Sequence, residues 1–568
     1  MLIVGCVARR LVRPASQWGI MVAMWAFVRR VGKRSALAAA LLTLLAAIAY
    51  PTGSRALAAG STPVRGGATR ATTAPTAKAT PQVRRHDVLV LAGNGTAYDL
   101  DSLALNWDSS IGTAWTVQDI EYIPDYTKHI PALAIANEPT TDVRMGKRKN
   151  LSYQDCANAK YDPSYSSSNP NNLAGAAIGV GQAICVITQD TKGPHGKPLK
   201  SDGGHYALLV VTARTASALT LAVTVWQRPG EAPELHVSGN ELVNGAGEPV
   251  VLHGVDRSGG EWACIHGTGI WSGPMDQAAI DAMKAWDINA VRVPLNEACW
   301  NGESYVKRAD RGPAYRSAVE RYIQLLNSNG LVAILDLAFT DGTYKGPSSA
   351  CATAHAGCEK PMPDKAQAIP FWNSVAHAFR EDDSVVFDLF NEPFPQAATG
   401  SETGGWACWR GGGASCPGIP YAVAGMQSLV DVVRSMDADN VIMLGGIGWA
   451  NDLSQLLDYL PTDPEHNLAA SWHSYSFDPC HTLSCWNAQV APVQARIPVI
   501  AGEIGEGDCA DSYIDPLMKW LDTRHVSYLA WSWNANFSCA AGPSLIASYA
   551  GTPTRYGAGY RAHLRSLR

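Results

Sequence analysis

A chain of 568 residues with 46% hydrophobic and 17% charged residues exceeds one ordinary domain and holds enough apolar matter for a large core. Its formal net charge of −5 at pH 7 excludes the strongly basic surface of a nucleic-acid binder and suits a neutral, polar substrate. Tryptophan outnumbers phenylalanine 18 to 9, a bias that serves stacking on sugar rings as well as core filling.

Arg29, Arg30, Lys33 and Arg34 precede an apolar run from Ala36 to Ala49, and the small-residue stretch Ala56-Leu57-Ala58-Ala59 follows. That is the layout of a secretory signal, and the run is short for a bilayer span. Residues 1–59 are therefore read as an N-terminal extension and signal peptide, with Met21 or Met24 as the more usual start. Secretion is the expected outcome, with no membrane attachment beyond the signal. Residues 60–85, rich in Thr, Pro, Ala and Gly, cannot bury a core and are read as a disordered linker.

Export turns cysteines into disulfides. Setting aside Cys6 leaves 12 of the 13, an even number. The close pairs Cys351/Cys358, Cys408/Cys416 and Cys480/Cys485 would each staple a loop, and Cys509/Cys539 could tie two late loops, although spacing leaves the connectivity open. No metal is expected, since the chain lacks CxxC-type or His-rich clusters of suitable spacing. Across residues 86–228, runs such as DVLVLAG, GQAICVITQ, HYALLVVTA and LTLAVTVW alternate with Gly, Pro, Asn and Ser clusters. These are strand and turn signals, so a small β-rich accessory domain of unread role is expected, followed by a short hinge QRPGEAPE.

From residue 235 to 568 eight apolar runs recur: VVLHGV, NAVRVPL, LVAILDLAF, VVFDLFNEP, NVIMLGG, NLAASWHSY, IPVIAGEIG and SYLAWSWN. Between them lie segments such as DQAAIDAMKAWD, YRSAVERYIQLLNSNG, IPFWNSVAHAFRED and YAVAGMQSLVDVVRSMD, whose apolar residues recur at three- and four-residue steps. The predicted fold class is α/β, a (β/α)8 TIM barrel preceded by the small β-rich domain, linker and signal. Reactive groups of such barrels sit at the C-terminal ends of the strands. There the sequence places Arg292, Asn391, Glu392, His473, Tyr475, Glu503 and Trp531. Two carboxylates facing one cleft, Glu392 and Glu503, suit glycosidic bond cleavage.

NEP after strand four, HSY after strand six, GE after strand seven and WSW after strand eight together resemble glycoside hydrolase family 5, the cellulase-type part of clan A. The resemblance covers roughly residues 235–568, including the opening LHVSGNELVNGAGEPVVLHGV, similar to the hairpin that closes the barrel floor in that family. It implies a retaining double displacement on a polysaccharide or oligosaccharide, with endo-β-1,4-glucanase as the expected activity and no cofactor. A β-mannanase or other β-glycanase, and a non-catalytic carbohydrate-binding relative, are the rival readings. A monomer without nucleic-acid partners is expected. On this resemblance Glu392 is the acid/base and Glu503 the nucleophile. Arg292 holds Glu503 ionised, Asn391 donates to the sugar 2-hydroxyl, His473 and Tyr475 orient the carboxylates and the sugar, and Trp531 is a stacking floor.

Rival acids are set aside on position. Glu138, in a second NEP, lies in the β-rich domain, Glu297 follows strand two, and Glu506 falls in a loop beyond Glu503. His355 and Glu261 lie in loops near the expected mouth, with no physical reason to prefer either. One departure stands out: where the family commonly carries a histidine after strand three in a D-L-H-like motif, this chain reads Asp336-Leu337-Ala338.

Overall fold

The computed structural model describes residues 83–92, 96–98, 110–111, 120–125, 130–135, 143–146, 151–157, 180–187, 192–193, 197–198, 205–215, 218–228 and 230–568, save 381 and 541. The signal, nearly all of the linker and the Glu138 loop lie outside the described residues. Strand formation begins at Val83, inside the segment read as linker, and Val83–Ala92 pairs antiparallel with Ala218–Trp226. A five-stranded antiparallel sheet continues through Tyr206–Arg214, Ala183–Ile187 and Val143–Gly146. Leu89, Leu91, Leu209, Leu221 and Val223 cover one face, as the alternation of the sequence requires.

The segment expected as a hinge is instead laid onto the neighbouring domain by backbone hydrogen bonds. Ala232 N donates to Asn327 O at 2.8 Å and Leu235 N to Asp383 O at 3.0 Å. The backbone donors there meet carbonyls at the end of the helix Pro313–Asn327 and just before the strand Val385–Asp388, and so find partners on the barrel domain.

All eight apolar runs form strands, labelled β1 (His253–Asp256), β2 (Ala290–Asn296), β3 (Val332–Phe339), β4 (Val385–Asp388), β5 (Ile442–Gly445), β6 (Leu468–Tyr475), β7 (Val499–Gly505) and β8 (Ser527–Ala530). They close in chain order into one parallel barrel, with His253 of β1 opposite Tyr528 of β8. Burial on both faces explains why the runs are continuously apolar rather than alternating. The barrel floor is plugged by Leu235 and by Leu242 of the hairpin His236–Ser238/Glu241–Val243, which pack with Leu252, Ala290, Ile334, Val386, Met443 and Ile500.

The outer helices include α1 (Gln277–Lys284), α2 (Pro313–Asn327), α3 (Lys365–Phe379) and α4 (Met426–Arg434). In α2, Tyr315, Val319, Tyr322, Ile323 and Leu326 form the buried stripe at helical spacing, and each such side chain contributes about 1.5–3 kcal/mol by leaving water. Two helix starts differ from the sequence pattern. α3 begins four residues before Ile369, because the Asp364 carboxylate accepts from Ala366 N and Gln367 N and so caps a turn ahead of Pro370. α4 begins only at Met426, since Gly425 lies against the Gly411–Gly412 backbone and Val423 is held by Gly413 N.

Six disulfides occur among the described residues: Cys351–Cys358, Cys408–Cys416, Cys480–Cys485 and Cys509–Cys539, as the spacing allowed, with Cys156–Cys185 and Cys264–Cys299. No helix among the described residues is long and apolar enough to cross a membrane.

Candidate active site

Arg292, at the centre of β2, is the cation around which the mouth of the barrel is organised. It is fully buried, and so are the acids that meet it from four other strands. Its Nε donates to Asp388 at 2.9 Å, Nη1 to Glu503 at 2.8 Å and to Asp256 at 3.1 Å, and Nη2 to the Asn391 side-chain oxygen at 2.8 Å. Asp336 adds an ion pair at 3.1 Å. One guanidinium cannot neutralise four buried carboxylates, so protons must remain on some of them. Burial drives Asp256 and Asp336 well above the usual carboxylate range despite Arg292, and Asp388 is pushed up to about 6.

Glu503 lies within β7 and is the register partner of His473 on β6. Besides Arg292 it accepts a hydrogen bond from the Tyr475 hydroxyl at 2.5 Å. Burial raises its pKa, and Arg292 and the Tyr475 hydroxyl oppose that rise. Glu392, four residues beyond the end of β4, has a poorer set of partners. His473 Nδ1 is 3.0 Å from Oε1, and among the described residues no lysine or arginine bonds to it. Burial first, then the charges of Glu359, Glu503 and Asp478, hold its carboxyl well above the usual range. One oxygen of Glu392, one of Glu503 and a ring nitrogen of His473 lie within 4.8 Å of one another.

His473 is fully buried, and burial with the Arg292 charge drives its pKa well down, so the ring is neutral. Its Nε2 faces Gly502, where a Cβ would stand 3.1 Å from that nitrogen and 2.9 Å from Ser471 Oγ. A side chain at this glycine of the GE step would crowd the Ser471 hydroxyl and the edge of the imidazole. Asn391 turns its oxygen to Arg292, which leaves the amide directed elsewhere. Trp531 follows β8 and is 8% exposed, whereas Trp533 is fully buried edge-to-face against Trp286 at 4.9 Å.

The structure thus hydrogen-bonds Arg292, Asn391, Glu503 and Tyr475 in one network and Glu392 with His473 in a second, the His473 ring lying 3.8 Å from Glu503 between them. The rival acids have other work. Glu506 accepts from Tyr513 N at 2.5 Å and Ile514 N at 3.3 Å, capping the helix Ile514–Asp522. Glu297 accepts from Thr340 Oγ1 and Asp341 N beside β3. Glu261 accepts from Gly259 N at 2.6 Å within its own loop, and His355 stacks on Tyr305 at 3.8 Å. Ala338 is the extra residue of a bulge at the mouth end of β3, since Leu295 pairs with Leu337 but Asn296 with Phe339.

Sequence reasoning missed Asp256, Asp336 and Asp388. Their signal was present, since each is an acid inside an otherwise apolar strand run, where a buried cation or a retained proton is needed to make it tolerable.

The sequence profile described as "Cellulase (glycosyl hydrolase family 5)" matches residues 243–537, a little over half of the chain. Endoglucanase N of Pectobacterium atrosepticum is 24% identical over 310 residues, 53% of this chain and 57% of that protein. A mannan endo-1,4-beta-mannosidase of Streptomyces lividans is 23% identical over 312 residues, 53% of this chain and 66% of that protein. The chain spans about half the length of the first curated relatives it matches. Among solved structures, a beta-glucanase of Saccharophagus degradans in complex with cellotetraose is 21% identical over 59% of this chain and 94% of that one, with a TM-score of 0.46. With the profile spanning the barrel from the floor hairpin to the loop after β8, the chain belongs to glycosyl hydrolase family 5, the cellulase family.

Proposed function

We propose that the protein is a secreted, retaining endo-β-1,4-glucanase, with Glu392 as acid/base and Glu503 as nucleophile. The observation that carries the reading is the unequal pair itself: two buried carboxylates with oxygens within 4.8 Å, one bonded to a guanidinium and the other to a neutral imidazole. Retaining enzymes hold their carboxyl groups about 5–5.5 Å apart, whereas inverting ones need roughly 6.5–9.5 Å to admit a water.

In the first step an oxygen of the Glu503 carboxylate attacks the anomeric carbon as the glycosidic C–O bond breaks. Glu392 gives its proton to the departing oxygen. If the neutral His473 ring donates its Nδ1 hydrogen to Oε1 of Glu392, the acid proton is left on Oε2, free to face the leaving group. Water then attacks the glycosyl-enzyme ester, Glu392 takes its proton, and Glu503 departs as carboxylate. Arg292 and Tyr475 fix Glu503 by charge-assisted hydrogen bonds. The Asn391 amide donates to the sugar 2-hydroxyl, and Trp531 supplies an apolar floor.

The names of the relatives support β-1,4-glucan first, and the Streptomyces lividans relative makes β-mannan the second candidate. The basic, apolar and small-residue pattern of residues 29–59 supports secretion. The test is reducing-end release from carboxymethyl cellulose, β-mannan and xylan by the wild type, Glu392→Gln and Glu503→Gln. Activity on the first substrate that both variants lose, with folding intact, is the expected result. Wild-type protein inert on all three would sink the hydrolase reading and favour a binding relative.

A further inference from the structure

Phe477 is 50% exposed, more than any other phenylalanine among the described residues. A lone apolar ring in water is ordinary on a protein surface and carries no message by itself. This one is held in a fixed place. It stands two residues beyond the mouth end of β6, in a turn that Asp478 N closes by donating to Tyr475 O at 3.0 Å. Ser476 N ties the turn to β7 by donating to Gly505 O at 3.2 Å, and the Asp478 carboxyl accepts from Tyr475 N at 2.8 Å. Just beyond, Cys480 N donates to the buried Asn451 side-chain oxygen at 2.8 Å, and Cys480 is bonded to Cys485.

The Phe477 ring lies nearly parallel to that of Tyr475, with 15° between the planes and 5.2 Å between the centroids. One face is thereby turned to Tyr475, while half of the residue still meets water. The Tyr475 hydroxyl in turn bonds Glu503 at 2.5 Å, so Phe477 is one stacked ring away from the side chain that holds the proposed nucleophile.

The barrel order tells on which side of the cut it stands. β7, which carries Glu503, lies between β6 and β8. On the β8 flank Trp531 N donates to Ile504 O at 3.1 Å, and Trp531 is the floor proposed above for the ring under attack. On the β6 flank are Phe477 and His473, whose Nδ1 meets the Glu392 carboxyl at 3.0 Å. The proton for the departing oxygen is therefore delivered on the Phe477 side of Glu503.

We propose that Phe477 binds the sugar on the leaving-group side of the cut, the apolar face of that pyranose stacking on the phenyl face turned away from Tyr475. This rests on the hydrolase reading above and adds a subsite to it. Because the turn is already ordered, little freedom is lost when the sugar docks. A sugar held there after the first leaving group departs can take the place of water. Its hydroxyl oxygen attacks the anomeric carbon of the glycosyl-enzyme, the ester bond to Glu503 breaks, and Glu392 takes the hydroxyl proton. The products are a longer glycoside and the Glu503 carboxylate.

Reactivation of a trapped glycosyl-enzyme tests the proposal. A dinitrophenyl glycoside of cellobiose, with fluorine in place of the 2-hydroxyl, fills the other side of the cut and leaves a slowly hydrolysed ester on Glu503. Recovery of activity is then followed in buffer alone and in added cellobiose. Phe477→Ala is expected to raise the cellobiose concentration for half-maximal recovery by about three- to tenfold, with a smaller loss or none in buffer, and Phe477→Trp to restore the wild-type response. An unchanged cellobiose response overturns the role of Phe477 and leaves the hydrolase reading standing. Equal losses in buffer and cellobiose do the same, since they trace to Tyr475 and Glu503. Slower trapping with a normal cellobiose response puts the ring on the other side of the cut and also overturns the proposal. A wild type that forms no glycosyl-enzyme overturns both readings.

Discussion

Replacing Tyr475 with phenylalanine isolates one hydrogen bond of the proposed nucleophile. The ring is 5% exposed and stacks on Phe477 at 5.2 Å, so Tyr475→Phe keeps its packing and removes only the hydroxyl. Glu503 Oε2 then has no hydrogen-bond partner within reach, because His473 Nδ1 is 3.8 Å away, while Oε1 keeps Arg292 at 2.8 Å. A hydrogen bond to a charged group contributes about 1.5–3 kcal/mol. Losing it from the ionised, reactive form corresponds to about ten- to 150-fold in kcat/KM. The pH profile should move as well. The hydroxyl lowers the pKa of Glu503, so its removal raises that pKa and displaces the acidic limb to higher pH. The assay is kcat/KM on carboxymethyl cellulose across pH 3 to 8, values chosen as roughly spanning carboxylate titration. A variant within twofold of wild type, with an unmoved acidic limb, would refute the claim that this bond keeps Glu503 ionised.

Arg292→Met should cost about 3–5 kcal/mol in urea unfolding, because it strands buried acids around the vacated centre. A loss below about 1 kcal/mol would show that the acids already hold enough protons to do without the cation. Thermal stability should fall as pH rises from about 5 to 8. Asp388 sits at about 6, and Glu261, Glu359 and Asp478 at about 7, all above ordinary carboxylates, so the folded state keeps protons that the unfolded chain releases. That stabilisation is complete below about pH 4 and lost as pH passes through 6 to 7. Asp522 and Glu231, held at about 2, act oppositely and lose their contribution only in stronger acid. A melting temperature that climbs from pH 5 to 8 would contradict this balance.

The barrel was legible because its strands are buried on both faces, so each appears as an unbroken apolar run bounded by turn residues. The helix starts were less so. Periodicity reports which residues face the core, not which donor is capped, and Asp364 and Gly425 moved two boundaries without altering any apolar face. Glu392 and Glu503 could be located because each follows or ends such a run. The segment after Trp226 was not legible: its proline and glycine suggested a hinge, although the backbone N–H groups of Ala232 and Leu235 are taken by carbonyls at 327 and 383.

The division of labour proposed for the two glutamates turns on the charge of His473. Both carboxyls are buried, and burial alone would raise them together. They part because Arg292 is spent on Glu503, Asp256 and Asp388, while Glu392 meets a ring whose protonation that guanidinium opposes. Were that imidazole charged, it would hold Glu392 as an anion and the site would have no proton to give. Burial keeps it neutral, and the missing side chain at Gly502 permits that burial by letting the ring edge lie against the backbone of β7. On this argument Gly502→Ala acts on the acid rather than on the nucleophile beside it. By displacing the ring from Glu392, it should reduce the proton-transfer step for poor leaving groups more than for aryl glycosides, whose departure needs little protonation. Equal losses on both substrates would place the damage at Glu503 instead.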